Sequence, residues 1–289
     1  MPGVFLDHVG DQKLDVSPFK IRHSLLGTKV LELDSLTEIL LRLPKNQVYL
    51  SNTRLDKQDD FEATFKKRKD GSCSLESALR GMLHSDSLIM VNSPEVDSAF
   101  KPVYEEIMES IAKLVAQRDR RKRILMPTLY LFIASPNSVT PFHIDRYSTF
   151  LFQFRGSKKV YVAEPWDNRV VSDANREAYI SYANTKLPWN DGQERLFTCF
   201  DFTPGECIHI PFVSGHFVKN GSDDISISMS LIFNTENTMM WRRALNFNHR
   251  ARRILRPLNV APYPVGRSDA RDLSKSFLWQ SWTKFKGVF

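Results

Sequence analysis

The sequence predicts a mainly β protein with helical segments at both ends. Between residues 125 and 235, short apolar segments of strand length follow one another at even spacing, with turn residues between them. This pattern is typical of an antiparallel sandwich or barrel. On either side of this region, apolar residues recur at helical spacing. Apolar residues make up 42% of the 289 residues and aromatic residues 11%, which is enough for a large core and excludes a disordered chain.

The N-terminal segment, residues 1–124, is predicted to form an α/β flank. Its clearest helix runs from Asp34 to Leu43, where apolar residues recur at helical spacing and Asp34 or Ser35 can act as the N-cap. Ser74 is the expected cap of a second helix. Residues 54–72 are rich in charge and are expected at the surface. The predicted elements are strands at Phe19–Arg22 and Ser87–Val91 and helices at Asp34–Leu43, Ser74–Leu83 and Val103–Ala116.

The central region, residues 125–235, is predicted to be the barrel. Arg155-Gly156-Ser157-Lys158 separates two strands and indicates a hairpin. Residues 166–194 interrupt the strands with a polar, irregular insertion, in which Trp166 and Trp189 are candidates for substrate contact. The predicted strands are Leu129–Ala134, Ser148–Phe154, Lys159–Ala163, Leu196–Phe202, Cys207–Ile210, His216–Lys219 and Ile225–Phe233.

The C-terminal segment, residues 236–289, carries most of the net charge of +7. From residue 239 onward it holds 11 Lys and Arg against two acidic residues, so the rest of the chain is close to neutral. A helix is predicted at Thr238–Leu255, with apolar residues on one face and arginines around the rest. Two interpretations are open: the helix packs on the barrel or on a second subunit, or it docks an acidic partner. Residues 257–266 are predicted to be an extended connector.

One short motif carries metal chemistry. His143 and Asp145 are two residues apart, so on a β-strand they project from the same face. His216 follows the strand that Pro211 ends, and a barrel can bring it beside the first pair. Two histidines and one carboxylate leave three coordination positions open, as in non-haem Fe(II) oxygenases. The sequence therefore predicts a metal site at His143, Asp145 and His216.

The other histidines and the cysteines are interpreted as structural. His209 alternates with Cys207 on one strand face and is expected to pack in the barrel. Cys199 and Cys207 are expected to be small buried hydrophobic residues. Three cysteines are too few for a disulfide scaffold or a zinc cluster, which favours a reduced, cytoplasmic setting. The histidines without a ligand-spaced partner are expected at the surface or at caps: His8, His23, His84 and His249.

Longer motifs give the sequence a family resemblance from about Pro18 to Asp272. They are SPNSVTPFHID at 135–145, FLFQFRGSKKVYV at 150–162, TPGECIHIPFVSGHFVKNG at 203–221 and PYPVGRSDARD at 262–272. The sequence resembles the JmjC-type 2-oxoglutarate-dependent oxygenases of the cupin superfamily. Within that superfamily it is similar to the bacterial cupin-like branch related to the asparaginyl hydroxylases that modify hypoxia-inducible factor. The resemblance implies a double-stranded β-helix, or jelly roll, with an N-terminal α/β flank and C-terminal helices.

The resemblance also implies roles for individual residues. His143, Asp145 and His216 would be the iron ligands, and Lys158 would hold the far carboxylate of 2-oxoglutarate with Thr140 supporting it. Thr149 and Ser230 fall where relatives place polar contacts to this cosubstrate, although relatives carry asparagines there. Relatives also have a tyrosine upstream that touches 2-oxoglutarate, and none lies near Ser87–Val91.

The expected function is that of an Fe(II)- and 2-oxoglutarate-dependent dioxygenase. It would hydroxylate a C–H bond of a peptide or protein side chain, or of a small metabolite, with O2 consumed and succinate and CO2 released. The expected assembly is a homodimer through the C-terminal helices, and neither a membrane nor a nucleic acid is expected as a partner. Two alternatives are a metal-binding regulatory protein that acts through its basic C-terminal segment and a metal-dependent cupin without 2-oxoglutarate.

Overall fold

The computed structural model describes residues 3–8, 14–66, 75–118 and 123–285. The strands are β1 (Phe19–Arg22), β2 (Val48–Ser51), β3 (Leu88–Asn92), β4 (Leu125–Ala134), β5 (Val139–Ile144), β6 (Ser148–Arg155), β7 (Lys158–Ala163), β8 (Phe197–Phe202), β9 (Glu206–Ile210), β10 (Gly215–Asn220) and β11 (Ser226–Asn234). The helices are α1 (Leu33–Arg42), α2 (Phe61–Lys66), α3 (Leu75–Arg80), α4 (Lys101–Arg118), α5 (Asp173–Ile180), α6 (Glu236–Leu255) and α7 (Asp269–Phe285).

The strands form two antiparallel sheets. The larger sheet has the order β1-β9-β6-β11-β4-β3-β2, and the smaller has the order β5-β10-β7-β8. Most strands that lie next to each other in a sheet are not consecutive in the chain, for example β11 beside β4 and β10 beside β5, as in a jelly roll. The prediction of a mainly β protein with a jelly-roll barrel is confirmed.

The larger sheet has an apolar face on each side. On its outer face, residues such as Ile89, Leu131 and Ile133 join the main core, to which α4 contributes Ile107 and Ile111. The alternate residues of the same strands point the other way, toward the smaller sheet. This two-sided packing fixes the register of the strands, because a slip of one residue would exchange the two faces.

The outer face of the smaller sheet packs against the C-terminal half of the chain. Phe142 and Phe217 meet Tyr179 and Trp189 in a second apolar cluster, which also contains Ala244 and other residues of α6. In α5, the buried Glu177 side chain accepts hydrogen bonds from Asn248 and Arg252 of α6. The prediction that the basic helix packs on the barrel is therefore confirmed. Its residue Arg252 also forms an ion pair with Glu177 within the fold.

The connection between β6 and β7 depends on Gly156. The predicted hairpin is wrong, because β6 belongs to the larger sheet and β7 to the smaller, so the two strands do not pair and the turn leads from one sheet to the other. Its φ angle is +67°, and a Cβ atom there would lie 2.3 Å from the carbonyl oxygen of Ile225. The predicted turn at residues 155–158 is present, and a glycine is required in it for two reasons. The left-handed backbone disfavours a side chain, and the backbone of β11 leaves no room for one.

We therefore expect Gly156→Ala to lower the free energy of unfolding by about 3 kcal/mol or more, because left-handed strain and a backbone clash add together. Gly192→Ala is the matched control, because Gly192 also has a positive φ of +78° but no atom lies within 4 Å of the added Cβ. That variant should lose only about 1 kcal/mol. Urea denaturation of both variants measures the difference, and equal losses would contradict the role of the clash.

Several predicted details were wrong. Helix α1 is preceded by Glu32, whose side chain makes no capping hydrogen bond, so neither Asp34 nor Ser35 is the cap. Asp34 instead lies in the first turn, where its charge favours the helix dipole. The insertion at 166–194 is not irregular, because it contains α5, which Ser172 caps by accepting from the Asn175 amide. Strand β2 and helix α7 were not predicted.

Two side chains also differ from expectation. His23 is buried, not at the surface: Nε2 lies 3.1 Å from the Gln153 carbonyl oxygen and Nδ1 accepts from the Leu25 amide. Cys199 is exposed, whereas Cys207 is buried as expected. Cys199 lies on β8, an edge strand of the smaller sheet, where one face is open to solvent. The expected cap Ser74 falls outside the described residues.

No helix among the described residues is both long and apolar enough to cross a membrane.

Candidate metal centre

A cavity of about 440 Å³ lies between the inner faces of the two sheets. Its wall includes every site residue predicted from the sequence. These are Thr140, His143, Asp145, Thr149, Lys158, His216 and Ser230. The structure therefore brings together residues that are spread over 91 positions of the chain, between Thr140 and Ser230.

The three predicted ligands meet at one point of the cavity wall. Strand β5 ends just before Asp145, and the antiparallel pairing of β5 with β10 places His216 opposite His143. The Nε2 atom of His143 lies 3.8 Å from Asp145 Oδ1, and that of His216 lies 3.9 Å from Asp145 Oδ2. One ligand atom from each residue falls within 4.8 Å of the others. This set of two imidazoles and one carboxylate can hold a divalent metal ion.

Backbone carbonyls orient both imidazole rings. Nδ1 of His143 lies 2.7 Å from the Pro141 oxygen, and Nδ1 of His216 lies 3.0 Å from the Ser214 oxygen. Each Nδ1–H donates to its carbonyl, which leaves the Nε2 lone pair facing the cavity. Burial, and then the neighbouring His216, lowers the pKa of His143 to about 3. His143 is therefore neutral at physiological pH, as a metal ligand must be.

Thr149 holds the carboxylate of the site. Its hydroxyl donates to Oδ2 of Asp145 at 2.5 Å. The sequence placed Thr149 near the cosubstrate. The structure places it on the cavity wall, with its hydroxyl bonded to Asp145. Such a contact fixes the rotation of a ligating carboxylate and tunes its basicity.

We expect Thr149→Val to weaken metal binding about 10- to 100-fold, because the carboxylate loses the hydrogen bond that orients it. Thr149→Ser keeps a hydroxyl and should bind metal nearly as well as the unaltered protein. Titration with Co(II), followed by its visible absorption, measures both affinities. A valine variant that binds Co(II) with unchanged affinity would show that the hydrogen bond has no orienting role.

Phe61 was not found from the sequence. It begins α2, and its ring stacks on that of His143 with centroids 4.4 Å apart and an angle of 21° between the planes. The next residue, Glu62, pairs with the buried guanidinium of Arg146. Helix α2 thus covers one side of the metal site. The distance of about 80 positions between α2 and the ligands hides this contact from the sequence.

Lys158 lies at a different part of the same cavity. It is buried, and its Nζ donates to Ser228 Oγ at 3.0 Å. Burial lowers the pKa of Lys158 to about 7. None of the ion pairs in the described part of the chain involves it. Lys159, by contrast, is exposed and pairs with Asp201 at 2.6 Å, as alternation along the strand predicted.

Two further polar residues of this region escaped the sequence analysis. Ser228 precedes Ser230 by two positions on β11, so both face the cavity, and only Ser230 was predicted. Tyr130 on β4 lies opposite Ser230 and lines the cavity, and burial raises its pKa to about 12. No tyrosine lies near Ser87–Val91 in the sequence, and Tyr130 lies on β4, the strand that pairs with β3. The alternation of polar and apolar residues along β4 could have revealed it.

The two tryptophans of the insertion do not line the cavity, so the prediction of substrate contact is wrong for both. Trp166 packs on Trp241 and Phe212, and Trp189 packs on Phe142 and other rings outside the smaller sheet. The insertion folds back over the outer face of that sheet, where both indoles are partly buried against the second apolar cluster.

His209 packs within the fold, as expected. Its ring lies 5.0 Å from that of Phe19, its Nδ1 donates to the Thr149 carbonyl, and its Nε2 accepts from the Asp15 amide. The Asp15 carboxylate in turn accepts from Ser148 and from the Phe212 amide. These contacts tie the N-terminal segment to the strands that carry Asp145 and His216.

Known proteins agree with this architecture. The profile of the family described as "Cupin-like domain" matches residues 32–239, which is most of the chain. The X-ray structure of Escherichia coli ycfD has a TM-score of 0.51 at 13% identity, covering 96% of this chain and 68% of that one. This likeness supports the fold. No curated protein sequence matches the chain significantly.

Two other solved structures have lower scores. One is described as YcfD, a ribosomal oxygenase from Escherichia coli, in complex with cobalt and 2-oxoglutarate, with 13% identity and a TM-score of 0.45. It is covered over 64% of its length, which is less than two thirds. The other is AerE from Microcystis aeruginosa, with 7% identity and a TM-score of 0.25. The match over residues 32–239, together with the jelly roll, shows that the chain belongs to the cupin-like domain family.

Proposed function

We propose that the protein is a 2-oxoglutarate-dependent non-haem iron dioxygenase. The observation that carries the proposal is one cavity that holds both His143, Asp145 and His216 and, apart from them, the buried Lys158. The donor set fits Fe(II), since neutral imidazole and carboxylate suit that ion and three positions stay open. The Escherichia coli protein described as binding cobalt and 2-oxoglutarate is consistent with such a site.

The role of Lys158 follows from its surroundings. A buried ammonium without a carboxylate partner in the fold is unfavourable, and a dianionic ligand relieves this by supplying the missing charge. Ser228 and Thr140 lie at the same end of the cavity and can donate hydroxyl groups to a carboxylate. Lys158, Ser228 and Thr140 would thus hold the far carboxylate of 2-oxoglutarate, with Ser230 and Tyr130 nearby.

The remaining groups orient and shield the reaction. When bound, Fe(II) and 2-oxoglutarate supply the chemistry, which activates O2 for hydroxylation of a C–H bond and releases succinate and CO2. Pro141 and Ser214 fix the imidazoles, and Thr149 fixes Asp145. Phe61 covers His143 and keeps water from that side of the metal.

The direct test is succinate formation by the purified full chain. We expect release that requires Fe(II), 2-oxoglutarate and O2, and that falls to background in an Asp145→Ala variant. His84→Ala is the control, because His84 is exposed and does not line the cavity. No succinate under any condition, with Fe(II) and 2-oxoglutarate shown to bind, would favour the regulatory alternative.

The substrate is proposed to be a peptide or protein side chain or a small metabolite. A screen of cell extract for products that gain one oxygen atom distinguishes these two classes. The Escherichia coli relative described as a ribosomal oxygenase favours a protein among the first candidates to test.

We also propose a homodimer through α6 and α7. These helices pack on each other, yet they and the connection between them leave large apolar side chains exposed. These include Ile254 on α6 at 74%, Leu258 in the connection at 70% and Phe277 on α7 at 66%. Exposed apolar patches of this kind mark interaction surfaces. Sedimentation should show a dimer, and Phe277→Asp should dissociate it, whereas Leu83→Asp, at another exposed leucine, should not.

The regulatory alternative has weaker support. Several arginines of the C-terminal segment are used within the fold: Arg252 pairs with Glu177, and Arg250 and Arg271 lie over the rings of Trp282 and Tyr263. A phosphate-binding surface would show binding to nucleic acid that falls steeply with salt.

A further inference from the structure

We infer that the group presented to the metal is neutral and apolar or aromatic, and that a separate chamber of the cavity accepts it. This inference rests on the proposed function and specifies its substrate class. The outer chamber, as we name it, is formed by Tyr49, Phe61, Leu88, Met90 and Phe132, all of which line the cavity. Among the residues that the structure describes, no charged side chain belongs to it.

The chamber follows from the topology. Strand β5, which carries His143, is the edge strand of the smaller sheet, whereas the larger sheet continues past β4 to β3 and β2. The cavity therefore extends sideways beyond the metal, along the inner face of this extension. The register places Ser228, Phe132, Met90 and Tyr49 in one row across β11, β4, β3 and β2. At the usual strand spacing this row spans about 14 Å.

The chamber adjoins both halves of the proposed site. Its row starts at Ser228, which accepts from Lys158, and Phe61 stacks on His143. Phe61 also packs with Tyr49 and Met90. These side chains are only half-buried, although the opposite faces of the same strands are fully buried in the main core. A large apolar group placed here would cover them and would gain from contact with aromatic rings and a thioether.

The charged side chains that the described residues contribute to the cavity already have partners, so none remains to pair with a charged substrate. Six charged or titratable groups other than tyrosine line it: Glu62, His143, Asp145, Arg146, Lys158 and His216. The two histidines and Asp145 belong to the metal, and Lys158 belongs to the cosubstrate. Glu62 and Arg146 pair with each other. With Fe(II) and 2-oxoglutarate bound, the positive and negative charges balance, so a charged substrate group would be buried without a partner.

The rings of tyrosine residues attract cations, but the guanidinium of Arg146 already lies over two of them, those of Tyr179 and Tyr182. The Arg146 guanidinium lies 3.8 Å from the centre of the Tyr182 ring and 4.3 Å from that of Tyr179. Its Nη2 and Nε donate to the Tyr179 carbonyl at 2.7 and 3.1 Å. Arg146 is fixed beside the metal site and would repel a second cation. The rings of the chamber, those of Tyr49, Phe61 and Phe132, can still attract a cation, but this attraction is opposed by the repulsion from Arg146 and by the loss of the cation's hydration.

Three single-ring probes test the inference: p-cresol (neutral), benzyltrimethylammonium (a cation) and benzenesulfonate (an anion). Binding to the full chain with Mn(II) and 2-oxoglutarate is followed by NMR, where broadening by Mn(II) shows that a probe lies near the metal. We expect p-cresol to bind about tenfold or more tightly than either ion, because each ion loses its hydration without gaining a partner. Equal or tighter binding of an ion, or no binding of p-cresol at its solubility limit, overturns the inference.

The preference is measured again with diamagnetic Zn(II) in place of Mn(II) and with 2-oxoglutarate bound, where saturation transfer reports the binding. The charges of the cavity balance as before in that state, so p-cresol should again bind better than benzyltrimethylammonium. This comparison does not depend on turnover. If succinate never forms but p-cresol still binds better than the cation, the proposed function is wrong and the inference about the chamber is kept. If succinate forms but p-cresol does not bind better, only the inference about the chamber is wrong.

Changing one residue should reverse the preference. Met90→Glu places a carboxylate in the row beside Phe132, so binding of the cation should rise about tenfold and that of p-cresol should fall by a similar factor. Met90→Leu and the exposed Leu83→Glu are the controls and should keep the original order. If Met90→Glu folds, as its circular dichroism would show, and still prefers p-cresol, the chamber is not the binding site.

Discussion

His143→Ala should abolish tight metal binding and all succinate formation. The substitution removes one of three ligands whose donor atoms lie within 4.8 Å of each other, and two ligands alone hold a divalent ion poorly. Loss of a group that merely orients a ligand already costs about 10- to 100-fold in affinity, so the loss of a ligand should cost about 100-fold or more. Titration with Co(II) and assay of succinate measure the two effects.

The control for His143→Ala is a histidine that shares burial but not the site. His209 is buried and its Nδ1 donates to the Thr149 carbonyl, yet it is not among the three ligands. His209→Gln should lower the free energy of unfolding. It should change the number of Co(II) ions bound less than His143→Ala does. Because the alanine variant also loses the ring stack with Phe61, its thermal unfolding is measured alongside. A folded His143→Ala protein that binds metal like the unaltered chain would disprove the assignment.

The sequence was sufficient to predict the barrel and its metal ligands for a physical reason. Alternation along a strand has a period of two, so His143 and Asp145 must share a face, and polar turns mark where each strand ends. The family resemblance placed Lys158 in the cosubstrate site, and the same alternation then predicts that its neighbour Lys159 faces outward; Lys158 is buried and Lys159 exposed, as expected. Alternation along a strand and the position of its turns are local properties, so the sequence of a single segment is enough to predict them.

What the sequence could not reveal depends on contacts between distant segments. Phe61 lies in a short helix of six residues with no motif, and only the folded chain places it on His143. Strand β2 has four residues and gains its structure from pairing with β3. Helix α7 exposes Phe277 and Leu278 to solvent, so its apolar residues do not form the single stripe from which a helix is recognised.

The position of the two tryptophans of the insertion also depends on contacts between distant segments, so the sequence did not predict it. Their position in an insertion near the barrel made substrate contact reasonable. The direction in which an insertion folds, however, is decided by tertiary packing. The cluster around Phe142 and Phe217 lies outside the smaller sheet, and it takes up both indoles because no other large apolar surface is near. Sequence spacing carries no information on that choice.

Binding of 2-oxoglutarate should take up a proton at Lys158, and its affinity should fall as the pH rises above about 7. Burial lowers the pKa of this lysine from 10.5 to about 7 in the ligand-free protein, so above that pH the amine is mostly neutral. A bound carboxylate stabilises the ammonium form and raises its pKa again. The association constant should therefore decrease about tenfold per pH unit above pH 7. Calorimetry in two buffers of different ionisation enthalpy counts the proton directly.

Variants at Lys158 and Lys159 separate the effect of Lys158 protonation on 2-oxoglutarate affinity from other effects of pH. Lys158→Met should weaken 2-oxoglutarate binding about 100-fold, because a buried charge pair loses one partner, and it should remove the proton uptake. Lys158→Arg keeps a permanent cation, so its affinity should show no such fall with pH. Lys159→Met is the matched control, since Lys159 faces solvent and pairs with Asp201, and it should behave like the unaltered protein.

The same pKa shift has a consequence for the ligand-free fold. Between pH 7 and 10.5 the unfolded chain holds the Lys158 proton more tightly than the folded chain does, so stability should increase with pH across this range. Below pH 7 both states carry the proton, and the folded state then contains a buried cation that, within the described part of the chain, donates a hydrogen bond to Ser228 and has no ion-pair partner. Lys158→Met should remove this part of the pH dependence and, near pH 7, should unfold at a higher temperature than the unaltered protein without 2-oxoglutarate. If the unaltered chain shows the same pH profile as the methionine variant, Lys158 does not titrate in this range, and the proposed proton uptake on 2-oxoglutarate binding is wrong as well.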